Sequence, residues 1–453
     1  MSHEHLQTHP LGVVHTDAIP NQRQPRDTHE VAVIGLGYVG LPLALLVAEK
    51  GHTVTGFDID AAKISAITKG EASHVGARDR AHLTSLRTFS ATTDPDTIGA
   101  ADTYIICVPT PVSDGHEPDL EPLKSACRTV AQLLKRHALV VIESTINPGV
   151  CEEVVVPILE RSGLAVERDF YLAHCPERIN PGDSRWGVRS IPRVLGAAGP
   201  ESLARAHALY SGLIDAEITP MRSLKEAEAV KMVENAFRDV NIAFVNELAM
   251  SFDRAGINLL NVIRGASTKP FGFLPHYPGA GVGGHCIPVD PYYLIRYGEK
   301  NGFEHRFLKT ARTINNKMPS YTVSLLAQAL RKKRKQLSRS TVALLGLAYK
   351  RDVPDERESP ALRIRELLEK RGTVVRTFDP YVPDHSSASS LDVALQDADA
   401  AVIATDHTLF RTLTPFHFMR AGVNVVVDGR NCLRKEDFQE SGILYSGIGR
   451  ADA

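Results

Sequence analysis

Cysteine is scarce in this sequence, and that scarcity excludes one class of fold. Only six cysteines occur in 453 residues, too few for a disulfide framework to hold a chain of this length together. This usage is typical of a reducing compartment, so we expect free thiols and a cytoplasmic location. Long hydrophobic runs are also absent: no stretch approaches the roughly 18 consecutive apolar residues that a membrane-spanning helix needs.

A surplus of charge of either sign is missing as well. Lysine and arginine total 52 and aspartate and glutamate total 53, so the formal net charge is −1. Nucleic acids and anionic membranes attract basic proteins, and neither is expected as the main partner. The hydrophobic fraction of 43% and the charged fraction of 23% are those of a globular protein with an ample core.

The first 29 residues differ from the rest of the chain. They are polar, contain several histidines, and lack the basic start and apolar run of a signal peptide. The irregular spacing of the histidines argues against a metal site. Segment 1–29 is therefore predicted to be a disordered tail, and no metal is expected in the protein.

From residue 31 onward, short β-branched runs alternate with helical stretches. The predicted strands of this first module are 31–34, 53–57, 104–108, 139–142, 171–173 and 193–196. Alternation of this kind indicates a parallel sheet that is covered by helices on both faces.

A second module of the same kind begins at residue 341. Its predicted strands are 342–345, 373–378, 401–404 and 425–427. Between the modules, residues 224–255 carry a helical pattern without proline or glycine, which would span roughly 45 Å. The predicted fold class is therefore α/β, with two Rossmann-like doubly wound parallel-sheet domains that are joined by a long central helix.

Gly35, Gly37 and Gly40 form the pattern G-x-G-x-x-G between the first strand and the first helix. The first glycine permits a tight turn, the second lets the backbone approach a pyrophosphate, and the third permits close packing of helix on strand. Tyr38 and Val39, inside the turn, complete the candidate cofactor-binding loop. The alternative is a glycine turn without a ligand.

Asp58 ends the second strand, 18 residues beyond Gly40. A carboxylate there can accept both ribose hydroxyls and would repel a 2′-phosphate, so NAD is favoured over NADP. Lys63 could reach the adenosine side, although an ordinary surface lysine fits equally well. The second module has Asp379 in the equivalent place but only Gly346 in its turn, so a second dinucleotide site is not expected.

Segment 278–291 is the most unusual in the chain. It has four glycines in six residues, followed by Cys286 and, four residues later, Asp290. Such a loop suits close approach of backbone amides to an anion. A partly exposed thiol with an acid or base nearby is a candidate nucleophile. Four other cysteines are interpreted as small buried apolar residues: Cys107, Cys127, Cys151 and Cys432.

Lys231, Asn235 and Asn246 lie at helical spacing within the 224–255 pattern. Lys231 and Asn235 are four residues apart and share one face. Burial would be costly unless each finds a partner, and exposure of that face to water is the alternative. The spacing alone does not decide between the two.

Together these motifs resemble the UDP-glucose/GDP-mannose dehydrogenase family of nucleotide-sugar 6-dehydrogenases, from about Val31 to Cys432. The resemblance rests on residues 35–42, Val108-Pro109-Thr110-Pro111, Glu143-Ser144-Thr145, Pro176-Glu177-Arg178, Lys231 with Asn235, Gly283-Gly284-His285-Cys286 and Gly346-Leu347-Ala348-Tyr349-Lys350.

The resemblance implies oxidation of a sugar CH₂OH group to a carboxylate by two NAD molecules. Cys286 would add to the intermediate aldehyde as a thiohemiacetal, which is then oxidised to a thioester and hydrolysed. By the same match, Lys231 and Asn235 would hold oxyanion charge and the sugar, and Asp290 would act as a base. Thr145 and Glu177 would position water or substrate.

The family match also implies binding residues and a domain plan. Further cofactor-binding residues would be Pro109, Thr110, Ser144, Thr145 and Arg357. The UDP-sugar would be bound by Glu177, Arg178, Lys231, Asn235, Gly281, Gly283, Gly284 and Lys350. The implied domains are 30–222, which binds NAD, 223–330, with the central helix and the cysteine loop, and 331–453, which binds the UDP-sugar. A homodimer or higher homo-oligomer built along the central helix is implied.

Four positions depart from the family pattern. Pro181 stands where UDP-glucose-specific relatives have a second acidic residue, and Cys175 stands where serine is common. Asn147 replaces a more usual small residue or proline, and Ala280 replaces a frequent proline. The segments 287–291 and 357–360 look more like the N-acetylhexosamine branch. The resemblance therefore favours UDP-N-acetylglucosamine as substrate, then UDP-N-acetylmannosamine, then UDP-glucose. Two other classes stay open: a two-electron hydroxy-acid-type dehydrogenase, and a non-catalytic nucleotide-sugar binding protein.

Overall fold

The computed structural model describes residues 28–72, 75–113, 117–179 and 186–451. Nearly all of the predicted tail, residues 1–27, lies outside the described residues, and so does Pro181. The chain divides into two compact units. The N-terminal unit comprises the described residues up to Glu234 together with Tyr292–Asn301, and the C-terminal unit comprises Asn235–Pro291 and the described residues from Gly302 onward.

The N-terminal unit contains an eight-stranded, mostly parallel sheet in its described residues. Its strands are β1 (Glu30–Ile34), β2 (Thr53–Phe57), β3 (Phe89–Thr92), β4 (Thr103–Ile106), β5 (Leu139–Ile142), β6 (Tyr171–His174), β7 (Arg193–Ala197) and β8 (Ile218–Pro220). Their order is β3-β2-β1-β4-β5-β6-β7-β8, and only the β6–β7 pair is antiparallel. The first six follow the doubly wound order, whose direction reverses between β1 and β4.

Seven helices of the described chain begin before residue 256. They are α1 (Gly40–Glu49), α2 (Ala61–Lys69), α3 (Ala77–Ser85), α4 (Glu121–Leu133), α5 (Val156–Leu159), α6 (Pro200–Leu213) and α7 (Leu224–Ala255). The long helix α7 coincides with the predicted helical pattern, which continues because no proline or glycine interrupts it.

The sheet of the N-terminal unit is buried on both faces, which explains its continuous apolar strands. In β1, Val31 and Val33 pack into one apolar cluster, while Ala32 and Ile34 pack into the cluster on the opposite face. Alternate side chains of a strand point to opposite faces, so a strand that is covered twice needs apolar residues at every position.

The C-terminal unit holds a second sheet, which is entirely parallel. Its strands are β9 (Thr341–Leu345), β10 (Val374–Phe378), β11 (Ala400–Ile403), β12 (Val425–Asp428) and β13 (Leu444–Gly447), in the order β10-β9-β11-β12-β13. The remaining helices of the described chain are α8 (Leu259–Ala266), α9 (Asp290–Lys300), α10 (Arg306–Lys332), α11 (Pro360–Glu369), α12 (Leu391–Leu395), α13 (Thr408–Arg411) and α14 (Pro415–Arg420).

The predicted fold class of two doubly wound α/β domains is confirmed. Three strands were not predicted: β3, β8 and β13. Each is an edge strand or a very short strand with polar or small residues, so its apolar signal is weak. No helix within the described ranges is both long and apolar enough to span a membrane.

Both strand orders reverse direction once. Ligands of such sheets bind at the carboxyl ends of the strands beside that reversal.

Candidate active site

The glycine turn of the N-terminal unit combines tight packing with one open position. Gly35 has φ +92°, and a Cβ on it would lie 2.8 Å from the carbonyl oxygen of Cys107. A Cβ on Gly40 would lie 1.8 Å from the carbonyl oxygen of Gly35. A Cβ on Gly37 would meet no atom within 4 Å. Packing therefore demands the first and third glycines, while the second leaves room for a ligand to approach the backbone.

Helix α1 begins directly after this turn. Its N-cap residue, Val39, makes no side-chain capping hydrogen bond. The helix is buried along most of its length. The positive end of its dipole lies at its N-terminus, directly beside the turn. An anion beside Tyr38 and Val39 would meet this dipole, and the residues present therefore fit the pyrophosphate of a dinucleotide.

Asp58 follows β2 and is almost fully buried. Its Oδ2 accepts hydrogen bonds from the Leu36 N–H (2.8 Å) and the Lys63 ammonium (2.7 Å), and its Oδ1 accepts from the Asp60 N–H (3.0 Å). Burial would raise the pKa of Asp58, but these hydrogen bonds, that of Lys63 foremost, outweigh it and lower the pKa. Lys63 is therefore the ion-pair partner of an ionised Asp58.

The loops that follow β4 and β5 lie beside the glycine turn, because β1, β4 and β5 are consecutive in the sheet. Thr110 Oγ1 donates to the Thr145 carbonyl oxygen (2.6 Å), and Ser144 Oγ donates to the Val108 carbonyl oxygen (2.7 Å). The two loops are thus tied to each other. Pro109 lies within the first of them, so the structure brings these predicted cofactor-binding residues to one edge of one sheet.

A buried polar cluster, which the sequence did not reveal, lies directly before the Ser144–Thr145 loop. Glu143 Oε1 accepts from the Tyr210 hydroxyl (2.5 Å), and Glu143 Oε2 accepts from Arg193 Nη1 (3.2 Å). All three side chains are buried. Cys175 is also fully buried, and desolvation raises the pKa of its thiol to about 12. Cys175 is therefore a protonated, structural thiol at neutral pH.

Lys231 and Glu177 meet within the N-terminal unit. The Lys231 Nζ lies 3.8 Å from Glu177 Oε2, and both side chains are largely buried. This contact resolves the alternative that the spacing of α7 left open: the Lys231 face is buried and its charge is balanced. Arg178 is an ion-pair partner of Glu234 and donates to the Pro192 carbonyl oxygen (3.0 Å), which gives it a structural role here.

Helix α7 also holds the loop beyond Thr145, through a residue that sequence reasoning missed. Glu228 is fully buried, and its carboxylate accepts from the N–H groups of Gly149 (2.5 Å) and Cys151 (2.8 Å). Glu228 is three residues before Lys231 on the same helix, so one face of α7 carries both a loop anchor and a candidate catalytic cation.

In the C-terminal unit, Asn235 and Asp290 form a buried pair. Asn235 Nδ2 donates to Asp290 Oδ2 (2.5 Å), and the side chains are 6% and 2% exposed. The Asp290 N–H donates to the Cys286 carbonyl oxygen (2.8 Å). Cys286 therefore lies one helical turn before a carboxylate whose orientation is set by an amide from α7.

Cys286 is partly exposed, and its Sγ lies 3.0 Å from His285 Nδ1. It is thus accessible, as a nucleophile must be, and is not packed into an apolar interior. Cys127 and Cys151 are fully buried, in agreement with the apolar interpretation, and burial raises the pKa of the Cys127 thiol to about 12. Cys107 and Cys432 are only partly buried.

A second residue of α7, whose partners the sequence did not indicate, holds the start of the cysteine loop. Asn246 is fully buried; its Oδ1 accepts from the Gly279 N–H (3.0 Å), and its Nδ2 donates to Asn315 Oδ1 (2.9 Å). Asn315 in turn donates to Asp239 Oδ1 (2.8 Å), as does Arg312 Nη1 (2.6 Å). The loop is therefore fastened to α7 at both ends, by Asn246 at Gly279 and by Asn235 at Asp290.

Backbone packing accounts for three glycines of this loop. A Cβ on Gly281 would lie 3.0 Å from Pro360, one on Gly283 would lie 2.8 Å from the Glu358 carbonyl oxygen, and one on Gly284 would lie 2.7 Å from the Tyr349 ring. Gly281 and Gly284 also have φ values of +138° and +93°. Close approach to protein atoms thus requires these glycines, and their contact with a substrate pyrophosphate stays a prediction.

Cations gather at the carboxyl edge of the second sheet. Lys350 and Arg351 lie in the loop that follows β9. Arg351 donates to Asp406 (Nε to Oδ2 3.0 Å). Arg430 follows β12, and its Nε lies 3.5 Å from Asp406 Oδ1. Arg357 donates to both oxygens of Asp355. Neither Arg351 nor Arg430 was predicted from the sequence, although the position of Arg430 just after a strand was a usable signal.

Asp379 is the counterpart of Asp58, and its carboxylate is hydrogen-bonded by other groups of the protein. It is fully buried and accepts from the N–H groups of Leu347 (2.6 Å) and Ala348 (2.8 Å), and from His407 Nε2 (2.9 Å). A carboxylate so enclosed holds the turn after β9 in place and presents no surface to a ribose. Asp58 keeps a small exposed fraction of 7%, and its contact with a ribose stays a prediction.

Three models of one family match the chain in sequence order. The NAD binding domain of the UDP-glucose/GDP-mannose dehydrogenase family matches residues 29–214, the central domain matches 225–317, and the UDP binding domain matches 343–435. These matches cover most strands of both sheets and nearly all of α7, while β8 and β13 lie outside them.

Individual relatives agree with the family match. The chain is 38% identical over 426 residues to the UDP-N-acetyl-D-mannosamine dehydrogenase of Pyrococcus horikoshii, covering 93% of this chain and 99% of that protein. It is 37% identical over 400 residues to the UDP-N-acetyl-D-glucosamine 6-dehydrogenase of Pseudomonas aeruginosa, covering 87% and 94%.

A solved structure of the UDP-D-ManNAc dehydrogenase from Pyrococcus horikoshii superposes with a TM-score of 0.87 at 38% identity, covering 94% of this chain and 100% of that one. Sequence and fold thus agree over nearly the whole length. The chain belongs to the UDP-glucose/GDP-mannose dehydrogenase family and is an NAD-dependent nucleotide-sugar 6-dehydrogenase.

Proposed function

We propose that this protein oxidises the C6 hydroxymethyl group of UDP-N-acetylglucosamine to the carboxylate, by a four-electron reaction through a covalent intermediate on Cys286. The observation that carries the proposal is the arrangement of a partly exposed Cys286 one turn before Asp290, whose buried carboxylate is oriented by Asn235. A two-electron dehydrogenase would have no use for a nucleophilic thiol in this arrangement.

The covalent chemistry belongs to Cys286 and the sugar. Its sulfur adds to the C6 aldehyde, forming a C–S bond and a thiohemiacetal. Loss of a second hydride and a proton produces the thioester, and attack of water breaks the C–S bond to release the acid and the thiol. The sum is RCH₂OH + H₂O + 2 NAD⁺ → RCOO⁻ + 2 NADH + 3 H⁺.

The other catalytic roles follow from charge. The Lys231 ammonium would stabilise the negative oxygen that develops at C6, and the Asn235 amide would donate to the same oxygen or to the sugar. Asp290 would take protons as a base. Thr145 and Glu177 would position water or substrate, and the contact of Glu177 with Lys231 keeps that cation balanced until substrate binds.

NAD would be held by the glycine turn, with Asp58 on the ribose. When bound, it supplies the hydride acceptor for each oxidation. The open space at Gly37 and the uncapped start of α1 support this assignment. The pyrophosphate of the UDP-sugar would meet Lys350 together with the backbone of the cysteine loop, and Arg430 adds positive charge at the same edge of the second sheet.

Replacement of Cys286 by serine is expected to lower acid formation by about three orders of magnitude or more, because an alkoxide is a poorer leaving group and a hydroxyl a poorer nucleophile. The measurement is NADH released per UDP-sugar and per second. Wild-type protein should release two NADH per sugar. Cys432→Ser, at a partly buried thiol of the same unit, is the matched control and should keep wild-type turnover. Unchanged acid formation in Cys286→Ser would refute the covalent mechanism.

Replacement of Asp58 by asparagine is expected to reduce the preference for NAD over NADP, measured as the ratio of kcat/KM values, by about tenfold or more. The amide keeps the shape and can still accept from Leu36, but it no longer repels a 2′-phosphate and it frees Lys63 to meet one. Asp60→Asn makes the same charge change two residues away and should leave the ratio unchanged. An equal ratio in both variants would contradict the role of Asp58.

A panel of UDP-sugars tests the proposed substrate. We expect the highest kcat/KM with UDP-N-acetylglucosamine, lower values with UDP-N-acetylmannosamine, and the lowest with UDP-glucose. The support is the resemblance of segments 287–291 and 357–360, together with the relative in Pseudomonas aeruginosa that is named for this substrate. The relative in Pyrococcus horikoshii is named for the mannosamine epimer, so a preference for UDP-N-acetylmannosamine is the outcome that would replace the proposal.

We also propose that the protein forms a homodimer or higher homo-oligomer along α7. Phe237 and Phe244 lie seven residues apart on one face of the helix and are 49% and 55% exposed, an arrangement that favours burial against a second copy. Light scattering should report at least twice the chain mass of 49.5 kDa. The double variant Phe237→Glu/Phe244→Glu should lower that mass, while Phe416→Glu should not. A monomeric wild-type protein would refute the proposal.

A further inference from the structure

The thiol of Cys286 has one imidazole within hydrogen-bond distance, on the residue directly before it. The distance from Cys286 Sγ to His285 Nδ1 is 3.0 Å. A cysteine of ordinary pKa, about 8.5, is mostly protonated at neutral pH and is then a weak nucleophile. In the proposed mechanism Asp290 is the base for the alcohol and for water, but no group takes the proton of the Cys286 thiol.

The loop holds His285 in a defined place. Gly284, directly before it, donates its N–H to the Arg357 carbonyl oxygen (3.0 Å). The His285 ring meets the Tyr349 ring edge to face, with centroids 6.4 Å apart and an interplanar angle of 81°. The imidazole is therefore held between an aromatic ring and the sulfur, with its Nδ1 turned toward the sulfur.

An acidic group lies within electrostatic range of the imidazole. Asp355 is largely buried and bound by Arg357. Burial would raise the pKa of Asp355, but the hydrogen bonds from Arg357, and the charges of Arg357 and His285, lower it. A carboxylate near an imidazole favours the imidazolium form. Other charged groups on this loop and on the segments packed against it are Asp290 on the loop, Arg430 beside Gly279, and Lys350, Arg351, Asp352, Glu356 and Glu358 on the 350–358 segment.

We propose that His285 is a catalytic residue, the base that removes the proton of the Cys286 thiol. The inference rests on the proposed covalent function. In the resting pair the imidazole carries its proton on Nε2, and the thiol donates to Nδ1. When the sulfur adds to the aldehyde, the S–H bond breaks and its proton moves to Nδ1; the C–S bond forms as the carbonyl π electron pair moves to the oxygen, which then takes up a proton.

Hydrolysis reverses this transfer. The C–S bond breaks, the electron pair returns to sulfur, and the imidazolium stabilises the thiolate or returns the proton to it. Asp290, whose carboxylate is engaged by Asn235, remains available for the alcohol and for water. The two bases thus serve different protons, as the geometry around each of them indicates.

The test is the pH dependence of Cys286 alkylation by iodoacetamide, followed at the Cys286 peptide by mass spectrometry without substrate. In wild-type protein the rate should rise with a midpoint below the ordinary thiol value of about 8.5. His285→Asn should move that midpoint upward by about one unit, which lowers the alkylation rate at pH 7 about tenfold. Cys432 in the same digest is an internal reference and should be alkylated at the same rate in both proteins.

His276→Asn is the matched control, because it removes an exposed imidazole from the chain just before the same loop. Its alkylation midpoint should equal that of wild type. Calorimetric binding of NAD to His285→Asn, expected at wild-type affinity, verifies that this variant is folded. An unchanged midpoint in folded His285→Asn would overturn the inference.

The two proposals fail in different experiments. If Cys286→Ser retains turnover, the covalent function is wrong whatever the alkylation midpoint is. If Cys286→Ser is inactive and the midpoint of His285→Asn does not move, the covalent function stands and the thiol proton goes elsewhere. Turnover tests the first proposal and the reactivity of the resting thiol tests the second.

Discussion

A row of buried polar side chains along α7 is the constraint on which the candidate site depends. Glu228, Lys231, Asn235, Asp239 and Asn246 recur at intervals of three, four, four and seven residues, so they share one face of the helix. A buried polar group without a partner costs about 1–3 kcal/mol, and more if it is charged. Every one of these five has a partner on a loop or a neighbouring helix. The helix therefore determines where the functional loops of each unit lie.

Glycine serves two purposes at the site, and the space around each position separates them. At Gly40 and Gly283 an added Cβ would collide with a backbone carbonyl, so these glycines are required by packing. At Gly37 the space is open, so this glycine is required only if something else approaches the backbone. The same distinction applies to the cysteine loop. Close packing against protein atoms already explains its glycines, so they are not by themselves evidence of an anion-binding site.

The sequence predicted those parts of the site whose signals are local. The glycine turn with Asp58, the interruption-free helix α7 and the cysteine loop were all identified because their residues are close together in the chain. Glu143 with Arg193, and Asn246 with Gly279, were missed because the partners are 50 and 33 residues apart. No spacing rule joins such residues, so Glu143 and Asn246 could be singled out in the sequence while their partners could not.

The sequence by itself determined the alternation of strands and helices and the place of the glycine turn, since periodicity and glycine spacing act over a few residues. Only the tertiary structure decided that the Lys231 face is buried, that Lys63 pairs with Asp58, and that Asp379 is bonded by His407 and fully buried. Burial and charge pairing depend on which distant segments come to cover a residue. The order of residues in the chain does not show which segments cover a given side chain. The packing of strands and helices decides it.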